Sequence, residues 1–252
     1  MDWDDVLAAV EGDPEVIRAT AEARESLADL HRHPANRRGW ARSAAAGSIR
    51  AARASAAIEG VPADEFPEAE VRDPILAGAL RATAEVAASV QVWERSPLQA
   101  LARLHSVIAG GLQPAETLGR PVRAADRLTA LAGRSLSGGR PAPVLVAMIH
   151  LELLSAQAFE AGNGVLARVV TRVAGIAGGL DPHGLGVPEV AFWRAGARYR
   201  AAGERLSVAC ASGDRDAVEA VVRTWLVDHS AWLTDGAREG RSIADVLVDA
   251  PG

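Results

Sequence analysis

The chain has 252 residues, of which 49% are apolar, and a formal net charge of −5. This length and apolar fraction suffice for one large domain, or for one domain with a helical extension, and the negative charge argues against nucleic-acid binding. All 27 basic residues are arginine, which excludes a Schiff-base lysine and a phosphate-binding P-loop lysine.

Several features of the sequence bear on its cellular setting. Cys210 is the single cysteine, so no intrachain disulfide can form and a reducing compartment is favoured. The stretch MDWDDVLAAV is acidic, which is atypical of a signal peptide, and no apolar run reaches the length of a bilayer span. We therefore expect a cytoplasmic protein that binds neither nucleic acid nor a membrane.

Helix starts in the N-terminal half carry a capping side chain followed by proline. Asp13-Pro14, Asp73-Pro74 and Ser96-Pro97 are signals of this kind. Together with the apolar periodicity they predict helices near 14–32, 37–59, 73–94 and 97–109. The following region, 111–140, is interrupted by several glycines and prolines, and its segment LTALAG predicts a strand of a small hairpin.

The sequence of the C-terminal half predicts a series of helices. The apolar run PAPVLVAMIHLELLSAQAF predicts a buried helix near 143–157, and Gly178-Gly179 marks the end of another near 164–177. After the loop GLDPHGLGVPE, further helices are predicted near 188–201, 202–212, 214–234 and 241–249. The composition is rich in alanine, leucine and arginine, so the predicted fold class is all-α.

The triplet Gly162-Asn163-Gly164 lies between the two most apolar helices. Glycines before a helix permit close backbone approach, and the free N–H groups of the first turn attract anions such as phosphate. Arg168 follows one turn later, and its side chain leans towards the helix start, where it can meet an anion or a carboxylate. An ordinary turn between helices, with a surface arginine, is the alternative.

The pattern Phe159-x-x-Gly162-Asn163-Gly164-x-x-x-Arg168 resembles the signature loop of the Fic (Fido) family, His-Pro-Phe-x-Asp/Glu-Gly-Asn-Gly-Arg-x-x-Arg. Upstream, the stretch from Ser55 to Glu59-Gly60 is similar to the inhibitory motif of that family, Ser/Thr-x-x-x-Glu-Gly/Asn. Three further fragments resemble family segments: LARLHSVIAGG, Leu118-Gly119-Arg120 and Met148-Ile149-His150.

The resemblance implies a Fic-like helical core at 96–212, preceded by a helical region with an inhibitory helix at 1–95 and followed by C-terminal helices at 213–252. It also implies transfer of AMP from a nucleotide such as ATP to a protein hydroxyl. Phe159, Gly162, Asn163, Gly164 and Arg168 would bind the nucleotide, and the inhibitory residues would be Ser55, Glu59 and Gly60.

Four motif positions depart from the family pattern. Gln157 stands at the position of the catalytic histidine and cannot act as the base, and Ala158 replaces the following proline. Ala161 replaces the metal-binding carboxylate, which argues against Mg²⁺, although Glu160 is adjacent. Val165 replaces the first arginine of the motif. These departures predict impaired AMP transfer; an active transferase with altered chemistry, or a helical interaction module, are the alternatives.

Both partners of the inhibitory lock remain, so a direct ion pair between Glu59 and Arg168 is predicted. The pair is either a gate for the nucleotide or a structural requirement of a buried arginine. His150 and His105 are expected to be hydrogen-bonded structural residues, and no side-chain cluster has metal-ligand spacing. Trp193, Trp225 and Trp232 are expected to fill the core or an interface. A protein target and a homodimer both remain open as partners.

Overall fold

The computed structural model describes residues 3–62 and 71–249, and this part of the chain is helical without any strand. The all-α prediction is confirmed. No single helix in the described ranges is both long and apolar enough to cross a membrane, although the pair Pro74–Ala84 and Val86–Trp93, bent by 61°, reaches that length and composition together. The helices are α1 Trp3–Glu11, α2 Pro14–Arg32, α3 Pro34–Ile58, α4 Pro74–Ala84, α5 Val86–Trp93, α6 Pro97–Ala109, α7 Ala125–Ser137, α8 Ala142–Ala156, α9 Asn163–Ala177, α10 Pro188–Ala195, α11 Ala197–Arg200, α12 Ala202–Ser212 and α13 Arg215–Asp249.

Two of the three predicted proline starts are capped by their aspartates. Asp13 accepts a hydrogen bond from the amide of Glu15, and Asp73 accepts from the amides of Ile75 and Leu76. Proline follows each cap at the first helical position, where its missing N–H costs nothing. α6 also begins with proline, but its cap residue Ser96 makes no side-chain hydrogen bond.

The hairpin expected within 111–140 is wrong. The segment LTALAG lies inside α7, and the β-type pairing in this region is one isolated bridge between Gly110 and Gln113. Leu128, Leu131 and Ala132 recur at helical spacing and bury one face of α7 against neighbouring helices. Gly133 interrupts the apolar pattern of the sequence, but one exposed glycine in a helix is tolerated.

Three predicted helix boundaries also need correction. The helix expected near 73–94 breaks at Glu85 into α4 and α5, and Thr83 donates its hydroxyl to the carbonyl of Ala79 just before the break. The helix expected near 188–201 breaks at Gly196, which has a positive φ of 56°. The two helices expected near 214–234 and 241–249 are instead the single helix α13.

α8 and α9 form the centre of the molecule, and most residues of both helices are buried. The largest apolar cluster surrounds this pair and includes Leu27 of α2, Leu104 of α6 and Leu233 of α13. The regions predicted at 1–95, 96–212 and 213–252 therefore all contribute residues to the same core. The loop with the glycine triplet connects the two central helices, so its position is fixed from both sides.

Candidate functional site

The loop between α8 and α9 begins and ends in left-handed backbone. Gln157 follows the last turn of α8 with a φ of 42°, and Gly162 precedes α9 with a φ of 73°. A side chain at 162 would be excluded on a second ground, because a Cβ atom there would lie 2.8 Å from Cγ2 of Ile108. The first glycine of the triplet is thus required both by backbone conformation and by close packing.

Asn163 holds the loop closed. Its Oδ1 accepts from the amide of Phe159 at 2.9 Å, and its Nδ2 donates to the carbonyl of Phe159 at 2.8 Å. Neither polar atom of this side chain therefore caps α9, and the helix has no side-chain cap at its N-terminus. The backbone N–H groups of the first turn remain available to an anion.

His105 fastens the loop to the segment after α6. Its ring stacks on the buried ring of Phe159, with centroids 4.0 Å apart. The amide of Gly119 donates to Nδ1, so the proton resides on Nε2, which donates to the carbonyl of Ala161. Burial lowers the pKa of His105, which keeps the ring in this neutral form. The structural role expected for this histidine matches these contacts.

Arg168 is 1% exposed, and its guanidinium reaches across to α3. Nε donates to Oγ of Ser55 at 2.7 Å, and Nη2 donates both to the carbonyl of Ser55 and to Oε1 of Glu59, the latter at 2.6 Å. The predicted ion pair is present. Burial lowers the pKa of Arg168, but Tyr199 and Glu59 outweigh it and the net shift is upward.

The carboxylate of Glu59 lies beside Gly164 in the first turn of α9. A Cβ atom added to Gly164 would lie 2.2 Å from Oε1 of Glu59, so only glycine allows this approach. Glu59 ends α3, and Gly60 follows with a φ of 96°. A negative charge thus lies beside the first turn of a helix, where the helix dipole favours an anion.

A buried chain of hydrogen bonds continues from Arg168 into the core. Nη1 of Arg168 donates to the hydroxyl of Tyr199, which contacts Nε2 of His150 at 2.8 Å, and Nδ1 of His150 contacts Nε2 of His229 at 3.1 Å. Burial raises the pKa of Tyr199 to about 12 and lowers that of His229 to about 3. These groups are therefore neutral near pH 7, and His150 is hydrogen-bonded as expected.

Tyr199 is part of the site although no sequence motif marks it; it is the only tyrosine of the chain. Arg123 is likewise not marked by a motif, and its Nη1 donates to the carbonyl of Gln157 at 2.9 Å. The carbonyl of Ala158 accepts from the amides of Val122 and Arg123, so the segment after Gly119 pairs with the motif loop without forming a hairpin. Among the tryptophans, Trp225 and Trp232 are core residues, whereas Trp193 is 45% exposed and does not fill the core.

The three motif positions 157, 161 and 165 carry no side chain for acid–base or metal chemistry, and Glu160 is an exposed carboxylate of the same loop. The side-chain Nε2 of Gln157 donates to the carbonyl of Leu154 in the last turn of α8, and Val165 is buried in the apolar core. Both ring nitrogens of His105, and both of His150, are already engaged. Within residues 3–62 and 71–249, no three histidine, cysteine or acidic side chains are grouped so as to hold a metal ion.

Three solved structures share this arrangement of helices. A Fic family protein from Desulfovibrio desulfuricans G20 is 21% identical with a TM-score of 0.60, and the alignment covers 91% of this chain and 74% of that one. The chain has the Fic fold. A Fic domain containing signaling protein from Bacteroides thetaiotaomicron VPI-5482 is 15% identical with a TM-score of 0.64, over 90% of this chain and 98% of that one. Fic-1 from C. elegans, residues 134–508, is 17% identical with a TM-score of 0.58, over 93% and 74% of the two chains.

At 15–21% identity these likenesses concern the Fic fold and no shared activity. Comparison with protein-family models and with curated proteins gives no match. Within the Fic fold, the loop between α8 and α9 joins the two central helices and faces the end of α3. The function of this loop must therefore be inferred from its own residues.

Proposed function

We propose that residues 162–168, at the start of α9, bind the phosphates of a nucleotide such as ATP, and that Glu59 blocks this site while it is paired with Arg168. The position of the Glu59 carboxylate supports the proposal, because it already occupies the place of an anion beside Gly164 and Arg168. A phosphate oxygen in that place would meet the same guanidinium, and the N-terminus of α9 beside it has no side-chain cap. The glutamate must leave before a phosphate can enter.

We further propose that ordinary AMP transfer to a protein hydroxyl is impaired in this chain. A base at position 157 is missing, and loss of a general base typically costs about 10² to 10⁴ in rate. Ala161 offers no carboxylate to Mg²⁺, and its carbonyl already accepts from His105. Val165 places an apolar side chain in the core where a phosphate-binding cation would be needed. Phosphate binding without efficient transfer is the function that these residues fit, in a cytoplasmic setting.

The binding proposal is tested by replacing Glu59 with alanine. Calorimetric titration with ATP, ADP and AMP, each with and without Mg²⁺, should give at least about tenfold tighter ATP binding to Glu59→Ala than to the wild type. Removal of a competing negative charge from the amides and from Arg168 is the physical reason. Glu160→Ala is the matched control, because Glu160 is an exposed glutamate of the loop between α8 and α9. The ATP affinity of this variant should equal that of the wild type. No ATP binding by Glu59→Ala at millimolar concentration would contradict the proposal.

Transfer of labelled AMP separates an impaired protein from a transferase with altered chemistry. The Glu59→Ala variant should bind ATP without transferring AMP to itself or to an added protein. The double variant Glu59→Ala with Gln157→His should transfer AMP faster than Glu59→Ala alone. Gln157 is exposed and has left-handed backbone, which histidine tolerates better than most residues. Robust labelling by Glu59→Ala alone would overturn the proposed impairment.

A further inference from the structure

Tyr199 contacts Arg168 from a part of the fold that does not include Glu59. The tyrosine is 1% exposed, and its hydroxyl accepts from Nη1 of Arg168 at 3.3 Å. It belongs to α11, and its ring stacks on that of Phe192 of α10, with centroids 4.8 Å apart. Glu59 instead follows the last turn of α3. The contact between the tyrosine and the arginine can therefore persist when the glutamate leaves.

The direction of the hydrogen bonds behind Tyr199 follows from the arginine. A guanidinium can only donate, so the hydroxyl oxygen of Tyr199 is the acceptor of Nη1. The hydroxyl proton can then be donated to Nε2 of His150, 2.8 Å away. In that case the proton of the neutral His150 ring lies on Nδ1 and is donated to Nε2 of His229, 3.1 Å away. The donors of this chain all point away from the guanidinium.

The opposite direction leaves more buried groups without partners. If His229 donated to His150, and His150 to Tyr199, the hydroxyl proton would have no acceptor among the described residues, and Nδ1 of His229 would be a second unpaired atom. In the first direction one group of the chain, the N–H at Nδ1 of His229, lacks a partner. Each unpaired buried polar group costs free energy, and the first direction also turns the positive end of each bond dipole away from the buried cation.

We propose that Tyr199 is a positioning residue, which keeps the guanidinium of Arg168 in place for a phosphate after Glu59 has left. This inference rests on the proposed phosphate site, and the two histidines behind the tyrosine orient its hydroxyl. A Cβ atom added to Gly164 would lie 3.3 Å from Nη1 of Arg168, so this nitrogen is beside the place of the Glu59 carboxylate. Ser55 holds Nε and Nη2, and Tyr199 holds Nη1. Without the tyrosine hydroxyl, a phosphate would bind a less ordered guanidinium and lose affinity.

Nitrogen-15 NMR of the imidazole rings tests the direction of this chain in the intact wild type. His150 and His229 should both be neutral, with the proton on Nδ1 and an unprotonated Nε2. His105 is the internal reference, because its proton lies on Nε2 and it should show the opposite pattern. The signals are assigned by correlation with the backbone. A proton on Nε2 of His150 would overturn the proposal.

ATP binding in the Glu59→Ala background tests the positioning role. Addition of Tyr199→Phe should weaken ATP binding about tenfold or more, because the ring is kept and the acceptor of Nη1 is removed. Inorganic triphosphate should show the same loss, because the effect lies in the phosphate contact. Thr171→Val is the matched control in this background: Thr171 is also buried, but its hydroxyl donates to the carbonyl of Ala167 within α9. It should leave both affinities unchanged.

The outcomes separate this proposal from the phosphate site itself. Equal ATP binding with and without the Tyr199 hydroxyl would overturn the positioning role and leave the phosphate site intact. Absence of ATP binding by Glu59→Ala alone would overturn both. If the variant with Tyr199→Phe does not fold, the protonation pattern of the two histidines in the wild type still decides whether the hydroxyl is held as proposed.

Discussion

Arg168 is the central residue of the site. Its guanidinium is buried, and each of its three nitrogens donates to an acceptor outside α9. Two of the acceptors, Oγ and the carbonyl oxygen, belong to Ser55 of α3. A buried cation without such partners would be strongly destabilising. The contacts therefore serve folding and, on the proposal above, also hold the arginine ready for a phosphate.

Ser55→Ala should destabilise the protein by about 1.5–3 kcal/mol, because a charged donor loses a buried acceptor. Ser230→Ala is a suitable comparison, since Ser230 is also a buried helical serine but donates to the neutral carbonyl of Leu226. It should cost about 1 kcal/mol. Urea denaturation of both variants measures the difference, and equal losses would argue against a special contribution from the arginine contact.

At the scale of the elements, glycines decide how closely α13 approaches the loop before α10. A Cβ atom at Gly236 would lie 2.6 Å from the nitrogen of Pro188, and one at Gly240 would lie 2.4 Å from the carbonyl oxygen of Leu185. The amide of Val187 also donates to the carbonyl of Gly236. Gly236 and Gly240 lie between the two helices predicted near 214–234 and 241–249. In the structure they are the positions where the unbroken helix α13 contacts another stretch of backbone.

Gly236→Ala should destabilise the protein by about 1–3 kcal/mol, although alanine is the better helix former, because the added methyl group meets backbone that cannot yield freely. In Gly133→Ala the same change falls on a helix position with nothing within 4 Å, and it should stabilise by about 0.5–1 kcal/mol. Thermal and urea unfolding give both values. A stabilised Gly236→Ala would show that α13 is free to move away from this loop.

At the scale of the whole molecule, the neutral chain of Tyr199, His150 and His229 ties α8, α11 and α13 together through their side chains. Burial lowers the pKa of both histidines below the usual value, and His229 falls to about 3. The unfolded chain therefore binds more protons than the folded one at mildly acidic pH. Stability is complete above about pH 6.5 and declines as the pH falls towards 3.

Between pH 7 and pH 5, His229 alone should account for about 2 kcal/mol of lost stability. His229→Gln should therefore lose about that much less than the wild type over this interval, because glutamine does not titrate. The measurement is the urea unfolding free energy at both pH values, and an unchanged pH dependence in His229→Gln would contradict a buried neutral imidazole.

Two kinds of site feature were predictable from the sequence: those formed by residues close together in the chain, and those that match a known family pattern. The turn at Gly162 and the approach of Glu59 to Arg168 are of these kinds. Tyr199 was not predictable, because its contact with Arg168 joins residues 31 positions apart and no local pattern marks it. For His105 a structural hydrogen bond was expected, but its partner Ala161, 56 positions away, was not predictable.

The sequence by itself determined the all-α class, the aspartate-capped helix starts and the loop between α8 and α9, because capping, periodicity and glycine conformation act within a few residues. Tertiary structure decided that 125–137 is a helix rather than a hairpin and that α13 continues through two glycines. The physical reason is that burial and close approach depend on residues far apart in the chain, where local propensity carries no information.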